Sequence, residues 1–431
     1  MSVSSPRTRL EQKFRAARLS QRDVLRRFPE EAARFGEGEI FVSERQLKRW
    51  LAGEAPTPRA AACRVLEAWW GEPVERLLGP PDELAIPDVA GGDVVADAGR
   101  RSVEHAIDAA SALDPSALEH LHGAAQHAAH ACVVTPPLEM LTDLVALRDT
   151  VYVQLDRTHK PRQQAELYLL AGQVCGLLSS VSFDLGHPGV AEEQARAAHT
   201  YGSVIDHPSL CAWARALQCT VALWTGRPRH AVAVAESALL GAPVGTARVR
   251  LHTARARSLA LIGARDEVDV ELAAAADQLE LAGRDELLDG IGGELSFDRS
   301  RHAMDTSSAY VALADGVRAE TAALDALEIF AGLDDHQRWG TGVVAVTVDL
   351  GTARALRGDL GGAEAALDSV FALPTAERTE PISLRLLGLG RIIGSPRYRG
   401  AVEATRLGES IESFTAASLA HTTARPAIGP G

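Results

Sequence analysis

The chain has 431 residues, 46% of them hydrophobic, which is enough for two or three domains with sizeable cores. It contains no run of eighteen apolar residues, and no apolar segment follows its Arg-rich N-terminus. We therefore expect neither a membrane span nor a secretory signal, and we predict a cytoplasmic protein. Five scattered cysteines without a CxxC pair favour reduced thiols over a disulfide or zinc framework.

The net charge of −13 is unevenly distributed along the chain. Residues 1–80 carry 15 Lys and Arg against 11 Asp and Glu, a balance of +4, whereas residues 81–431 carry 29 against 46, a balance of −17. Only the first part is suited to approach a polyanion.

Residues 1–80 predict five short helices, near 7–18, 21–34, 43–52, 59–70 and 73–78. In the third, Ser43 and Gln46 form a capping box and Gly53 suits a left-handed C-cap. That helix is amphipathic: Leu47, Trp50 and Leu51 fall on one side, and Arg45, Lys48 and Arg49 on the other. The apolar side predicts a place in a compact bundle, and the basic side faces water or an anion.

Three stretches, LSQRDV, VSERQLKRWLAGEAPTP and CRVLEAWWGEPVERLLGP, resemble the phage-repressor (Xre-type) helix-turn-helix domain. In that family the third helix is the recognition helix. The resemblance implies a DNA-binding face of Ser43, Glu44, Arg45, Gln46, Lys48 and Arg49, with Leu47 and Trp50 holding the helix on its support. Arg45 or Arg49 would read guanine and Gln46 adenine. Lys48 would meet phosphate.

One feature departs from the family pattern. The stretch FPEEAARFGEGEIF adds about ten residues, rich in glutamate, between helices 2 and 3. Either helix 2 is longer and points away from DNA, or DNA binding has been lost.

The rest of the chain predicts an all-α body. Residues 81–102 are rich in Pro, Gly and Asp and predict a linker. Residues 103–420 are Ala- and Leu-rich without strand alternation, and residues 421–431 predict a disordered tail.

Glycines recur in the body at the positions expected for turns between helices: Gly186, Gly226, Gly263, Gly316, Gly358 and, less regularly, Gly394. Seven residues before the first five stand small residues, as closely crossing helices require: Ser179, Cys219, Ala256, Ala309 and Gly351. The pattern resembles a tetratricopeptide-like α-solenoid of five or six helix hairpins. The stretches SFDLGHPGVA, TGRPRHAVAVAE and GGELSFDRSR also resemble the bodies of actinobacterial helix-turn-helix regulators that carry such repeats.

The repeat register implied by this resemblance places Trp213, Arg250, Arg257 and Tyr310 on the concave side. Arg250 and Arg257 lie seven residues apart on one helix and are suited to bind a carboxylate or a peptide terminus. Trp213 and Tyr310 would form apolar walls. The alternative is that all four are ordinary solvated or inter-hairpin residues.

Catalytic and cofactor motifs are not evident. No lysine follows a glycine, which excludes a GK[ST] phosphate loop, and Gly340–Ala345 matches a dinucleotide fingerprint by letters only. His120 and His127 are about 10 Å apart along a helix, too far to share a metal ion without a second segment. We expect no enzyme, cofactor or metal site; a metal- or cofactor-dependent enzyme in the body is a third, weaker interpretation.

The sequence therefore predicts a cytoplasmic, DNA-binding transcriptional regulator. Its body would form a homodimer and bind a small-molecule, peptide or protein effector, without a membrane. The alternative is a tetratricopeptide-type interaction scaffold whose head no longer binds DNA.

Overall fold

The structure is a computed structural model and describes residues 6–17, 19–38, 40–54, 58–81, 114–334 and 338–420. Within those residues the regular structure is helical and no strand occurs, which confirms the predicted all-α class. The chain divides into two compact units, Met1–Val103 and Glu104–Gly431. We call described residues 6–81 the head and described residues 114–420 the body. The predicted linker, apart from Pro81, and the predicted tail lie outside the described residues.

The head contains five helices close to the predicted ones: α1 (Arg9–Ala16), α2 (Gln21–Arg34), α3 (Glu44–Ala52), α4 (Ala60–Trp70) and α5 (Val74–Leu78). Capping boxes begin α2 at Ser20 and α3 at Ser43, and Gly53 ends α3 with φ of 71°. Leu10, Phe28 and Leu47 lie in one buried core. Local capping and amphipathicity thus fix these elements, and the shared core holds them together.

Fifteen further helices form the body. They are α6 (Pro115–Val134), α7 (Pro137–Arg157), α8 (Pro161–Asp184), α9 (Pro188–Val204), α10 (Pro208–Trp224), α11 (Pro228–Leu239), α12 (Thr246–Leu261), α13 (Arg265–Leu279), α14 (Leu288–Ile291), α15 (Arg299–Ala312), α16 (Gly316–Ala331), α17 (Gly340–Arg357), α18 (Leu360–Phe371), α19 (Glu380–Ile393) and α20 (Val402–Ala416). Proline occupies the first turn of many of them, where its missing N–H has no helical acceptor to lose.

Four of the predicted turn glycines have positive φ: Gly186, Gly226, Gly263 and Gly358. The expected turn at Gly316 differs, because Ala314 takes the left-handed conformation there with φ of 54°. Gly316 instead begins α16, where an added Cβ would lie 2.9 Å from the carbonyl oxygen of Ala353. Its small size therefore serves a close approach to α17. Gly394 has φ of −72° and ends α19 without a left-handed turn.

The small residues before the turns lie where the helices of a hairpin cross. Ser179 Oγ donates to the carbonyl oxygen of Ala191 at 2.8 Å. In the next hairpin Cys219 Sγ donates to the carbonyl oxygen of Ala231 at 3.4 Å. The two contacts are equivalent, since each joins residues twelve apart. Successive hairpins thus repeat one packing geometry.

An extra segment, residues 280–298, separates α13 from α15 and accounts for the long interval between Gly263 and Gly316. It contains α14 and the 3₁₀ turn Gly293–Leu295. That turn packs on α6: an added Cβ on Gly293 would lie 2.3 Å from the carbonyl oxygen of Ala129. The segment therefore connects the middle of the body to its first helix.

The end of the body also returns to its beginning. Leu419 belongs to the same buried cluster as Met140 and Leu177. An added Cβ on Gly186 would lie 2.4 Å from Cβ of Ala420. The last residues of the body thus pack against its first helices, and the body surrounds a central space that is partly open.

Candidate functional site

The polar face of α3 is exposed to solvent on the head. Ser43, Glu44, Arg45, Gln46, Lys48 and Arg49, the six predicted DNA-binding residues, are all exposed. On the opposite side Leu47, Trp50 and Leu51 are 0%, 4% and 6% exposed. The amphipathic pattern therefore translates into one buried and one accessible face.

Most of the six side chains have local partners. Lys48 Nζ lies 2.6 Å from Glu44 Oε1, and this hydrogen bond lowers the pKa of Glu44, with a smaller contribution from nearby Arg22. Gln46 Oε1 accepts from the backbone N–H of Ser43 at 3.2 Å. Arg49 Nη2 donates to the carbonyl oxygen of Glu54 at 3.3 Å. Among the described residues no polar partner is found for Arg45, so its guanidinium is the face's most available cation.

The glutamate-rich insertion begins inside α2, and its expected orientation away from DNA stays a prediction. Helix α2 continues through Pro29 to Arg34, so part of the insertion lengthens this helix. In the following loop Glu37 Oε2 accepts from Arg64 Nη2 of α4 at 2.7 Å. One acidic side chain is thereby engaged away from α3, and the described part of the insertion leaves the polar face of α3 exposed.

The body contains a cavity of about 480 Å³. Its walls come mainly from α8, α10, α12, α15, α17 and α19, the first helices of successive hairpins, together with the 280–298 segment. Five arginines line it: Arg250, Arg257, Arg301, Arg338 and Arg385. Such a concentration of guanidinium groups is unusual for a body of net negative charge.

Arg250 connects α12 to the extra segment. Its Nη2 lies 2.9, 3.0 and 2.7 Å from the carbonyl oxygens of Glu294, Leu295 and Ser296. Its guanidinium carbon is 5.1 Å from the Phe297 ring centroid. Burial, together with Arg301, lowers the pKa of Arg250 to about 10, which still leaves it charged at neutral pH.

Two arginines share one tryptophan at the cavity wall. The guanidinium carbons of Arg257 and Arg385 lie 5.4 and 5.2 Å from the Trp224 ring centroid. Arg257 Nη1 is 2.9 Å from Asp305 Oδ1, and Arg385 Nη1 is 3.4 Å from Asp349 Oδ1. Both cations are therefore stacked and paired within the protein.

Asp184 contributes a carboxylate to the same cavity from the last position of α8. Among the described residues it has neither a hydrogen-bond donor nor an ion-pair partner. Burial raises the pKa of Asp184 to about 8, and the neighbouring Glu294 adds to the shift. At neutral pH a large fraction of this group is therefore protonated.

The structure separates the four residues predicted to bind a ligand. Arg250 and Arg257 line the cavity. Trp213 is 0% exposed and packs against Gly176, where an added Cβ would come within 2.2 Å of its ring. Tyr310 lies against Arg318, whose guanidinium carbon is 4.5 Å from the ring centroid, and is not part of the lining. Neither aromatic residue is a wall of this cavity.

The extra segment explains the placement of Trp213. Ser209, one turn earlier on α10, donates to Asp285 Oδ2, and Leu287 and Leu288 share the buried cluster of Trp213. The repeat register does not predict that the 280–298 segment buries Trp213. It also missed Asp184 and Trp224, which both stand two residues before their turn glycine.

The predicted histidine face lies on α6. Within the described ranges no group of three or more His, Cys, Asp or Glu side chains is arranged to hold a metal ion. Cys132, at the end of that face, borders the cavity, and burial raises the pKa of its thiol far above the usual range.

Helix α8 is long and apolar enough to cross a membrane by length and composition, but 78% of the relevant window is buried inside the body. Core helices meet the same criterion, so this is weak evidence for a span. The predicted cytoplasmic location stays a prediction.

No protein-family model and no curated protein sequence matches the chain. The assignments to the helix-turn-helix and tetratricopeptide families consequently rest on the residues quoted above.

Proposed function

We propose that this protein is a DNA-binding transcriptional regulator whose body responds to a small molecule held in its central cavity. The observation that carries the first half is the exposure of all six polar residues on α3. A recognition helix needs one face on its support and the other accessible to base edges and phosphates.

The chemistry of the α3 face suits a duplex. Arginine donates two parallel hydrogen bonds to guanine, and lysine meets phosphate as a point charge. Arg45, Lys48 and Arg49 supply these groups on nine residues of helix, and the head has the positive charge balance that the body lacks. The Glu44 carboxylate reduces the positive charge of the α3 face. On DNA, Lys48 can leave Glu44 and pair with a phosphate instead.

The response to a small molecule is inferred from the cavity in the body. Small-molecule sites in proteins occupy roughly 300–1,000 Å³ and combine apolar walls with a few polar groups. The body cavity has this size, and its lining combines apolar side chains with several charged ones.

The test is selection of binding sequences from a random duplex library with the full chain. We expect enrichment of a defined site, and Arg45→Ala/Arg49→Ala should weaken binding to it by about 1–3 kcal/mol for each arginine that contacts a base. The matched control is Arg34→Ala/Arg76→Ala, which removes the same charge from exposed positions elsewhere on the head.

Two results would contradict the proposal: no enriched site at low salt, or equal affinity in the α3 double variant and the wild type. Either would favour the interaction-scaffold alternative. Formation of a homodimer stays a prediction; sedimentation velocity of the full chain with and without the selected duplex measures it.

A further inference from the structure

Two ionisable side chains of opposite type, Arg250 and Asp184, line the body cavity without an ion-pair partner among the described residues. Among the cavity's arginines, Arg257, Arg301 and Arg385 each lie within 4 Å of a carboxylate, namely those of Asp305, Glu294 and Asp349. Arg250 and Asp184 differ from them. Each is ionisable, each lines the cavity, and neither forms an ion pair within the described residues.

Arg250 is 8% exposed and bonds only to main-chain oxygens. The three carbonyl oxygens share one donor, Nη2 of Arg250, while Nε of Arg250 has no acceptor. Neutral carbonyl groups orient the guanidinium without neutralising it. Its charge is therefore held in place and left to be balanced by something else.

Asp184 is the complementary case. Its side chain is partly buried, lines the cavity and accepts no hydrogen bond from the described residues. The nearest charge that affects it is another carboxylate, Glu294. Glu294 is itself occupied by Ser180 Oγ at 3.1 Å and by Arg301 Nη2 at 3.3 Å. A donor from outside the protein is what Asp184 lacks.

Arg250 and Asp184 are both connected to Glu294. The main-chain oxygen of Glu294 accepts from Arg250, and its side chain bonds Ser180, one turn before Asp184 on α8. A small molecule that spans the cavity between Arg250 and Asp184 would contact both. A ligand held within the cavity would occupy about 480 Å³.

We propose that the body cavity binds a small zwitterionic molecule, whose cationic group pairs with Asp184 and whose anionic group accepts hydrogen bonds from Arg250. The inference rests on the proposed function only in that it specifies the effector. An anion alone would leave Asp184 without a partner, and a cation alone would leave Arg250 without one. A cationic group beside Asp184 would favour the ionised form of its carboxyl group. A zwitterion satisfies both and brings no net charge into a buried site.

The test uses the full chain and a series of unbranched ω-amino acids, from glycine to 8-aminooctanoate, because chain length samples the separation of the two groups. For each length the matching n-alkylamine and n-alkanoate serve as single-charge probes. Binding is measured as the rise in melting temperature and by calorimetric titration. We expect at least one amino acid to raise the melting temperature more than its amine and carboxylate added together.

Asp184→Asn keeps the shape of the side chain and removes its charge. We expect it to weaken binding of the preferred amino acid at least tenfold and to leave the weak response to the carboxylate probe unchanged. Asp325→Asn, an exposed position on α16, is the control and should change neither. Arg250→Lys keeps a cation and should lower affinity for the amino acid and the carboxylate alike, with no effect on the amine.

The inference is wrong if no amino acid exceeds its single-charge probes, or if Asp184→Asn binds the preferred amino acid as tightly as wild type does. A carboxylate probe that matches the amino acid would indicate an anion site only, and an amine that matches it a cation site only. DNA binding is measured on the same samples. Duplex binding without zwitterion binding overturns this inference alone, whereas zwitterion binding without duplex binding overturns the proposed function alone.

Discussion

Arg257 Nη1 and Asp305 Oδ1 lie 2.9 Å apart and join α12 to α15 across the cavity wall. Their side chains are only 12% and 7% exposed, so each compensates the other's desolvation. Arg257 was predicted to hold an anionic ligand. The pairing instead supports the alternative for this residue, in which it is an ordinary inter-hairpin residue.

Removing one member of this pair should therefore destabilise the protein. We expect Asp305→Asn to lower the free energy of unfolding by about 3 kcal/mol, because it leaves a buried guanidinium without its counter-ion. Urea denaturation followed by circular dichroism measures the change. Asp325→Asn, at an exposed site, should alter stability by less than about 0.5 kcal/mol. Equal stability of the two variants would mean that the Arg257–Asp305 contact is not formed.

A second prediction concerns the anchoring of the extra segment on α6. Gly293 has φ of +59°, and an added Cβ would lie 2.3 Å from the carbonyl oxygen of Ala129. Gly293→Ala should displace the Gly293–Leu295 turn and speed amide hydrogen exchange in residues 285–297. Gly189→Ala is the control, because a Cβ there meets nothing within 4 Å. Unchanged exchange in the Gly293 variant would show that the segment is held elsewhere.

A third prediction follows from the raised pKa of Asp184, about 8 in the folded protein against 3.8 as the ordinary value. Between these values the folded state binds this proton more tightly than the unfolded state does, so stability falls as pH rises through the interval. The charged group that acts on Asp184 is Glu294, which adds to the shift and pairs with Arg301.

Asp184→Asn abolishes this contribution. Relative to wild type, the variant should gain roughly 1–3 kcal/mol of unfolding free energy between pH 4 and pH 8. Paired urea denaturation curves at several pH values measure the difference. A difference that stays constant over that range, or that grows towards low pH, would show that the carboxylate is solvated and carries no raised pKa.

How far the sequence predicts this structure depends on the range of the interactions involved. Helix α3 was located correctly because its determinants, the Ser43 cap, the apolar stripe and Gly53, lie within eleven residues. The turn predicted at Gly316 was misplaced. This glycine is small because it lies against Ala353, 37 residues away, and not because it forms the turn. The local signal for that glycine is the same as for a turn.

The cavity depends on contacts that are longer still. Trp213 was assigned to an exposed wall since the segment that covers it begins some seventy residues later. Arg385 stacks on Trp224, and Ala420 packs against Gly186, so the last part of the body contacts helices from its first half. No periodicity records these contacts, so the repeat register identified Arg250 and Arg257 of the lining but missed Asp184 and Trp224.

The most direct measurement of the central claim is site-specific photocrosslinking of the full chain to its selected duplex. A benzophenone amino acid is placed at Glu44, on the polar face of α3, or at Glu75, an exposed position on α5. If α3 lies in the major groove, the probe at position 44 crosslinks to bases within the enriched site and the probe at position 75 does not. Bound duplex that crosslinks equally from both positions, or only from position 75, would contradict the account.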